Sequence, residues 1–296
     1  MLKRTLFFGS PGKLSVKNTL LHYQPWEGDK ERSFPLEDLS CIVIESLQMT
    51  LTAYCLNALA ACNIAVIFCD EHHMPSAQML SFSGNTLTQK NTEAQFLSTM
   101  PLKGKLWRQT VKAKISNQAH CLEKLGLPYQ KLLYLAESTK ADDANNNEAV
   151  AARYYFQQLG IDEIFLRDRD GEPPNNALNY GYAILRAACA RALTGSGLNC
   201  CIGLHHGNQY NAFCLADDVM EPYRPFVDAM IFSERDFFNV PELAKEHKAK
   251  LLQLLVMDVK IGNECRPLIN ALSFTTASLV RCFFRESKEI SYPEFA

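Results

Sequence analysis

The stretch MLSFSGNTLTQKN, residues 79–91, divides the chain into two parts of different character. Before it, short runs rich in β-branched and aromatic residues are separated by Gly, Pro, Asn and charged residues, which is the pattern of strands and turns. RTLFFG (4–9), KLSVKN (13–18), TLLHYQ (19–24) and CIVIES (41–46) are the clearest, and their spacing predicts a small antiparallel sandwich or meander. LTAYCLNALAACN (51–63) reads as a helix, IAVIFC (64–69) as a buried strand, and DEHHMPS (70–76) as the turn that ends it.

After residue 91 apolar residues recur at three- and four-residue spacing over long segments, the signature of amphipathic helices. NTEAQFLSTM (91–100), KLWRQTVKAKISNQAHCLEKL (105–125), NNEAVAARYYFQQL (146–159), ALNYGYAILRAACARALTGSG (177–197) and PELAKEHKAKLLQLLV (241–256) carry it. The Ser, Gly, Asn and Thr content of 79–91 suits a connector. The expected class is α+β: a β-sandwich-like domain over 1–78, a linker over 79–91 and a larger all-α domain over 92–296.

Composition narrows the function. The chain has 296 residues, enough core to fold without crosslinks, and its eleven cysteines are odd in number and never spaced C-x-x-C. That usage predicts a reduced, cytoplasmic protein and argues against a zinc ribbon or a redox dithiol. The basic start MLKRTLFFGSPG carries too short an apolar run for a signal peptide, and NALAACNIAVIFC (57–69) falls short of a membrane span. A net charge of −2 argues against indiscriminate coating of nucleic acid. A local basic face remains: residues 101–118, PLKGKLWRQTVKAKISNQ, carry Lys103, Lys105, Arg108, Lys112 and Lys114 without one acid, to be read as phosphate contacts or as a solvated helix face. No phosphate-binding P-loop, dinucleotide fingerprint or nucleophile elbow is present.

Acids and a histidine pair stand out in the helical half. Glu148 lies in the first turn of its helix, where complementarity to the helix dipole is the bland explanation; Asn146 or Asn147 is the natural N-cap. His205 and His206 are adjacent in GLHHG, so at most one points into any single site. In ADDVMEPYRPFVD (216–228), Asp217 or Asp218 reads as an N-cap with Pro222 in the first turn, which would put Asp218 and Glu221 on one face. Glu148, His206, Glu221 and Asp218 together would offer carboxylate oxygens and one imidazole, a donor set suited to Mg²⁺ or Mn²⁺.

These residues resemble a known family. NNNEAVAARYYF (145–156), NNALNYGYAILRAACARALTGSGL (175–198) and above all IGLHHGNQYNAFCLADDVMEPYRPFVD (202–228) are similar to the universal integrase of CRISPR adaptation, in its type II branch, and the likeness extends over nearly the whole chain. The resemblance implies a metal-dependent DNA endonuclease and integrase that inserts short duplex DNA into a repeat array by 3′-hydroxyl attack on a phosphodiester. It further implies a homodimer assembled with a small ferredoxin-like subunit, with double-stranded DNA as substrate. Carried over, the metal ligands are Glu148, His206, selected over His205 by the G-x-x-H spacing from Gly203, and Glu221, which stands where many relatives have Asp. Asp218 matches a further acidic position, metal-binding or catalytic. Arg153, Arg224, Lys103, Lys105, Arg108 and Lys112 become candidates for DNA phosphates, with Arg224 alternatively a strut to Glu221 or Asp228. The competing expectations are a DNA-binding scaffold without catalysis and a phosphoesterase for small substrates.

Overall fold

The computed structural model describes residues 4–28, 30–81, 84–160, 167–168 and 170–296. They fall into two compact units, Met1–Thr88 and Gln89–Ala296. Residues 1–3 of the basic start and 82–83 of the expected linker lie outside the described residues.

In the first unit β1 (Arg4–Phe8), β2 (Gly12–Lys17), β3 (Leu20–Pro25), β4 (Arg32–Pro35), β5 (Leu39–Ile44) and β6 (Met49–Leu51) precede α1 (Ala53–Ala61), β7 (Ala65–Cys69) and β8 (Pro75–Met79). Thr52 caps α1 by accepting the Cys55 N–H, and the Asp70 carboxylate organises the turn after β7 by accepting the N–H groups of His72 and Met74. Two four-stranded sheets result, ordered β4-β3-β2-β6 and β1-β5-β7-β8.

The expectation of an antiparallel sandwich holds for only part of this unit. β2, β3 and β4 do form an antiparallel meander, turning tightly at Asn18 and Thr19, both at positive φ. In the other sheet β1, β5 and β7 run parallel, and β6 is parallel to β2. The reason is connectivity: the whole meander lies between β1 and β5, and α1 lies between β5 and β7, so each connection is long enough to bring the chain back in the same direction. β5, LSCIVI, is accordingly buried at every position, whereas β2 alternates. Leu14, Leu21 and Tyr23 of one sheet share a core with Phe8, Leu39, Ile42 and Val66 of the other and with Cys55 and Leu59 of α1.

The second unit contains α2 (Thr88–Phe96), α3 (Met100–Lys124), α4 (Gln130–Ser138), α5 (Asn147–Leu159), α6 (Asn175–Gly195), α7 (Cys214–Met220), α8 (Arg224–Ser233), α9 (Arg235–Phe238), α10 (Lys245–Leu252) and α11 (Leu268–Phe283). It is not all-α. β9 (Asp258–Ile261), β10 (Glu264–Pro267) and β11 (Glu294–Phe295) form a three-stranded antiparallel sheet around a turn at Gly262. These strands are short, and β11 joins from more than thirty residues along the chain, so no local run announces the sheet.

The 25-residue α3 organises this unit. Its face of Trp107, Val111, Ile115, Ala119 and Leu122 packs with Leu132 and Leu135 of α4 and with Ala151 and Tyr155 of α5. Gly181 lets α6 approach α8 closely, since a Cβ there would lie 2.5 Å from Val227 Cγ1. Asn117 of α3 donates to the carbonyls of both Pro222 and Pro293, tying the turn before α8 and the C-terminal segment to one amide.

At the base of this packing Asp228 is buried and accepts hydrogen bonds from Tyr155 Oη at 2.9 Å and Tyr182 Oη at 2.5 Å. Burial nevertheless pushes its carboxyl up from the ordinary 3.8 to about 6, outweighing the tyrosine hydroxyls and Arg224. A carboxyl with a raised pKa in the folded state takes up protons on folding, so its stabilising contribution is present at low pH and is lost as the pH rises through about 6. Urea midpoints of wild type and Asp228→Asn followed from about pH 4 to 7 should therefore converge or cross, with wild type losing ground to the variant as the pH rises. Parallel pH profiles would contradict it.

All eleven cysteines are free. Among the described residues no helix is long and apolar enough to cross a membrane.

Candidate active site

Four elements of the helical unit bring the candidate residues together: α3, the start of α5, the loop before α7, and the turn between α7 and α8. The start of α5 is not capped as its asparagines suggest. Asn146 adopts a left-handed conformation with φ of 53° and makes no side-chain cap. Asn147 is buried and donates to Leu135 O and Ser138 Oγ. The cap comes from Asp143, whose two carboxylate oxygens accept the N–H groups of Asn147 and Glu148. This holds Glu148 in the first turn with its carboxylate turned towards α3.

The segment around Glu221 also departs from expectation. α7 begins at Cys214, so Asp217 and Asp218 lie inside it and cap nothing; Pro222 sits in a single 3₁₀ turn, Glu221–Tyr223, that joins α7 to α8. Asp218 and Glu221, expected to share a face, take different partners.

Glu221 points to α3. Its Oε2 lies 2.6 Å from Lys114 Nζ and its Oε1 lies 3.0 Å from an Arg224 Nη. The same Lys114 Nζ lies 2.7 Å from Glu148 Oε1. Two carboxylates from distant parts of the chain thus converge on one ammonium. Burial acts to raise Glu221, but Arg224 and Lys114 outweigh it and hold the carboxyl below its usual range. Burial likewise acts to lower Lys114, and Glu221 and Glu148 more than offset it, so the ammonium stays charged.

Asp218 has a different set of partners. It is fully buried, and its Oδ2 accepts the N–H groups of Leu204 and His205 at 2.6 and 3.0 Å. Its Oδ1 accepts the His206 N–H and lies 2.5 Å from His206 Nδ1. The carboxylate folds the G-L-H-H loop around itself and raises the His206 imidazole above its ordinary value, mainly through the ring hydrogen bond. With Nδ1 committed, Nε2 is the nitrogen left to bind an ion.

The histidine doublet divides its work. His205 stacks flat on Trp107, with ring centroids 4.5 Å apart and planes 5° from parallel, and faces Asp142 at 3.5 Å. His206 meets the same indole edge-on and is the ring that feels the charges of Glu221 and Glu148. The tightness of the loop depends on Gly203: a Cβ there would lie 2.4 Å from His206 O and 2.9 Å from Asp218 Oδ2. Gly203→Ala should therefore cost about 2 kcal/mol or more, as forced overpacking does, read as a lowered urea midpoint. A midpoint equal to wild type would show that the loop has slack.

The donor set fits a hard divalent cation. The Lys114 ammonium is a stand-in cation, held by one oxygen from each of two glutamates beside an imidazole; carboxylate and imidazole donors suit Mg²⁺ or Mn²⁺. Among the described residues no three His, Cys, Asp or Glu side chains are closed around one point as they stand, because Lys114 separates the glutamates and His206 turns Nδ1 to Asp218.

The basic candidates separate as well. Lys105, Arg108 and Lys112 lie exposed on α3, Lys103 is half-buried at its start, and Arg153 is exposed on α5. Arg108 also donates through Nε to Thr139 O. Arg224 is the strut: besides pairing with Glu221, its guanidinium lies over the Tyr182 ring. Lys114, counted in the sequence only as one lysine of the basic run, is the residue the reading missed. Its signal was positional: it lies one heptad from Trp107, on the inner face of α3.

Known structures place this architecture in a class. The fold matches a casposase bound to integration product with a TM-score of 0.79 at 18% identity, over 97% of this chain and 92% of that one. It matches a CAS1 protein from Thermotoga maritima with a TM-score of 0.75 at 16% identity, over 95% and 97% of the two chains. In sequence, residues 6–247 match the family model of CRISPR associated protein Cas1. A CRISPR-associated endonuclease Cas1 from Neisseria meningitidis serogroup C is 39% identical over 99% of this chain and 97% of its own length. A second from Pyrobaculum aerophilum is 26% identical over 86% of this chain and 90% of its own. The chain belongs to the Cas1 family.

Proposed function

We propose that this chain is a metal-dependent DNA endonuclease and integrase of CRISPR adaptation, inserting short duplex DNA into a repeat array by attack of a 3′-hydroxyl on a phosphodiester. The observation that carries the reading is the convergence of Glu148 and Glu221 on a single cation next to His206. The relatives named as endonucleases and the casposase solved with an integration product support it.

Glu148, Glu221 and His206, through Nε2, would hold Mg²⁺ or Mn²⁺. Bound there, such an ion neutralises charge that builds on the non-bridging phosphate oxygens and lowers the pKa of an attacking hydroxyl or water. The chain supplies the rest. Arg224 fixes the rotamer of Glu221; Asp218 fixes the tautomer and direction of His206, the supporting role that carboxylates commonly play behind a metal-binding imidazole. Trp107, by stacking on His205, keeps the neighbouring ring out of the site. Lys103, Lys105, Arg108, Lys112 and Arg153 would hold backbone phosphates, positioning the duplex without reading its sequence.

The same reading makes the protein a cytoplasmic homodimer that works with a small ferredoxin-like subunit. Structures of similar Cas1 proteins in complex with Cas2, and of one in complex with DNA, support these partners. The test is strand transfer: purified protein with the partner subunit, a duplex carrying free 3′-hydroxyls, and a repeat-containing target. Joining should require Mn²⁺ or Mg²⁺ and stop with EDTA. Duplex binding with no joining under any divalent ion would instead favour a DNA-binding scaffold.

A further inference from the structure

Lys114 is chemically out of place in a metal site. Its Nζ lies 2.7 Å from Glu148 Oε1 and 2.6 Å from Glu221 Oε2, between the two carboxylates that the proposed function assigns to a divalent ion. An ammonium and a divalent cation cannot both occupy that position, because like charges at contact distance repel strongly. Nor can the glutamates stand together without a cation, since two carboxylates sharing a half-buried site destabilise each other. The lysine is in the site by construction: α3 carries it on the same face as the buried Trp107, and its side chain is only 12% exposed.

We propose that Lys114 is the resident counter-ion of this site, holding Glu148 and Glu221 in place while no divalent cation is bound, and that such a cation enters by displacing it. This rests on the reading of Glu148 and Glu221 as metal ligands.

Two features make the exchange feasible. The lysine has a flexible four-carbon stem, so Nζ moves without moving α3. A cavity of about 60 Å³ adjoins it, lined by Lys114 with Gln118, Arg167, Tyr182, Arg224 and Asp228, and gives the stem room to turn. The buried Asp228 carboxylate is the anionic group on that wall. Arg224 stays paired to Glu221 Oε1 throughout, so Glu221 keeps its orientation while Oε2 changes partner. The consequence is a site that exists before its ion arrives, at the expense of some affinity for that ion.

The prediction concerns binding and stability rather than activity. Free Mn²⁺ is measured by its electron paramagnetic resonance signal during titration of the full-length protein, and thermal unfolding is followed in EDTA and in excess Mn²⁺. Lys114→Met keeps the bulk of the stem and removes the charge. It should bind Mn²⁺ about tenfold or more tightly than wild type, since a competing unit charge at contact distance is gone. It should also unfold at a lower temperature than wild type in EDTA and recover most of the difference in Mn²⁺, giving a larger metal-induced shift. Lys114→Gln, which keeps a donor between the carboxylates, should move affinity the same way and serves if the methionine variant does not fold in EDTA. Glu148→Gln, the control for the site, should lose binding. Wild-type affinity and an equal shift in both lysine variants would overturn the counter-ion role and leave the metal reading standing. Absence of a Mn²⁺ site in wild type as well as in Glu148→Gln would overturn the metal reading and the inference with it.

Discussion

Glu148→Gln and His206→Ala should each reduce Mn²⁺-dependent joining of duplex DNA by about a thousandfold, the order expected when a group that stabilises transition-state charge is lost. The thermal midpoint should change little. Glu148 is partly exposed, and with glutamine in its place Lys114 keeps its ion pair to Glu221, so no buried charge is left without a partner. His206 is half-exposed, and truncating it leaves the Asp218 carboxylate its three backbone donors. The two variants differ in one respect. Removing the glutamate charge leaves Lys114 with Glu221 alone, whereas removing the imidazole leaves the glutamate pair intact. Strand transfer at wild-type rate by Glu148→Gln would sink the assignment of the active site, because no other carboxylate faces Glu221 across Lys114 among the described residues.

The second large effect belongs to Asp218, and it is mainly on stability. Asp218→Ala should lower the unfolding free energy by about 3 kcal/mol or more, because three loop N–H groups and the His206 ring lose their acceptor in one step. Asp218→Asn is the graded variant. It keeps one acceptor oxygen and the volume, but presents an amide NH₂ where Leu204 and His205 or His206 also donate. It should cost less stability than alanine, and should weaken Mn²⁺ binding by about ten- to a hundredfold through the loosened imidazole. Urea denaturation and Mn²⁺ titration read the two effects separately. Weakened metal binding with an undiminished urea midpoint in Asp218→Ala would make the residue a direct ligand instead of the anchor of the loop.

The balance of charge explains how these buried and half-buried carboxylates are held. Glu148 and Glu221 bring two negative charges to Lys114 and Arg224, and the negative charge of Asp218 is dispersed over backbone donors and one imidazole. Each carboxylate has a partner in place, which is what keeps Glu221 ionised despite its burial.

Much of this was legible in the residues. The change from strand-rich to helical patterning and the helices over 105–125, 146–159 and 177–197 follow from apolar spacing alone. The candidates Glu148, His206 and Glu221 came from motifs. Local reasoning failed where a choice depended on what lay across the structure. Asparagines next to a helix start are good caps, yet Asp143, four residues from the start, reached the free N–H groups first. Asp218 and Glu221 are three apart, yet one is taken by the loop N–H groups and His206 and the other by Lys114 and Arg224.

What the sequence determined by itself is therefore the order and kind of the elements and the chemical types gathered in the site, since periodicity and motif spacing are properties of the chain within one or two helical turns. Only the tertiary structure decided that three strands of the first unit run parallel, that Asp218 anchors a loop, and that Lys114 stands between two glutamates. Each of these is settled by pairing between groups 12 to 107 residues apart, where burial makes every charge and every N–H find a partner, and the identity of that partner is written nowhere in the neighbouring sequence.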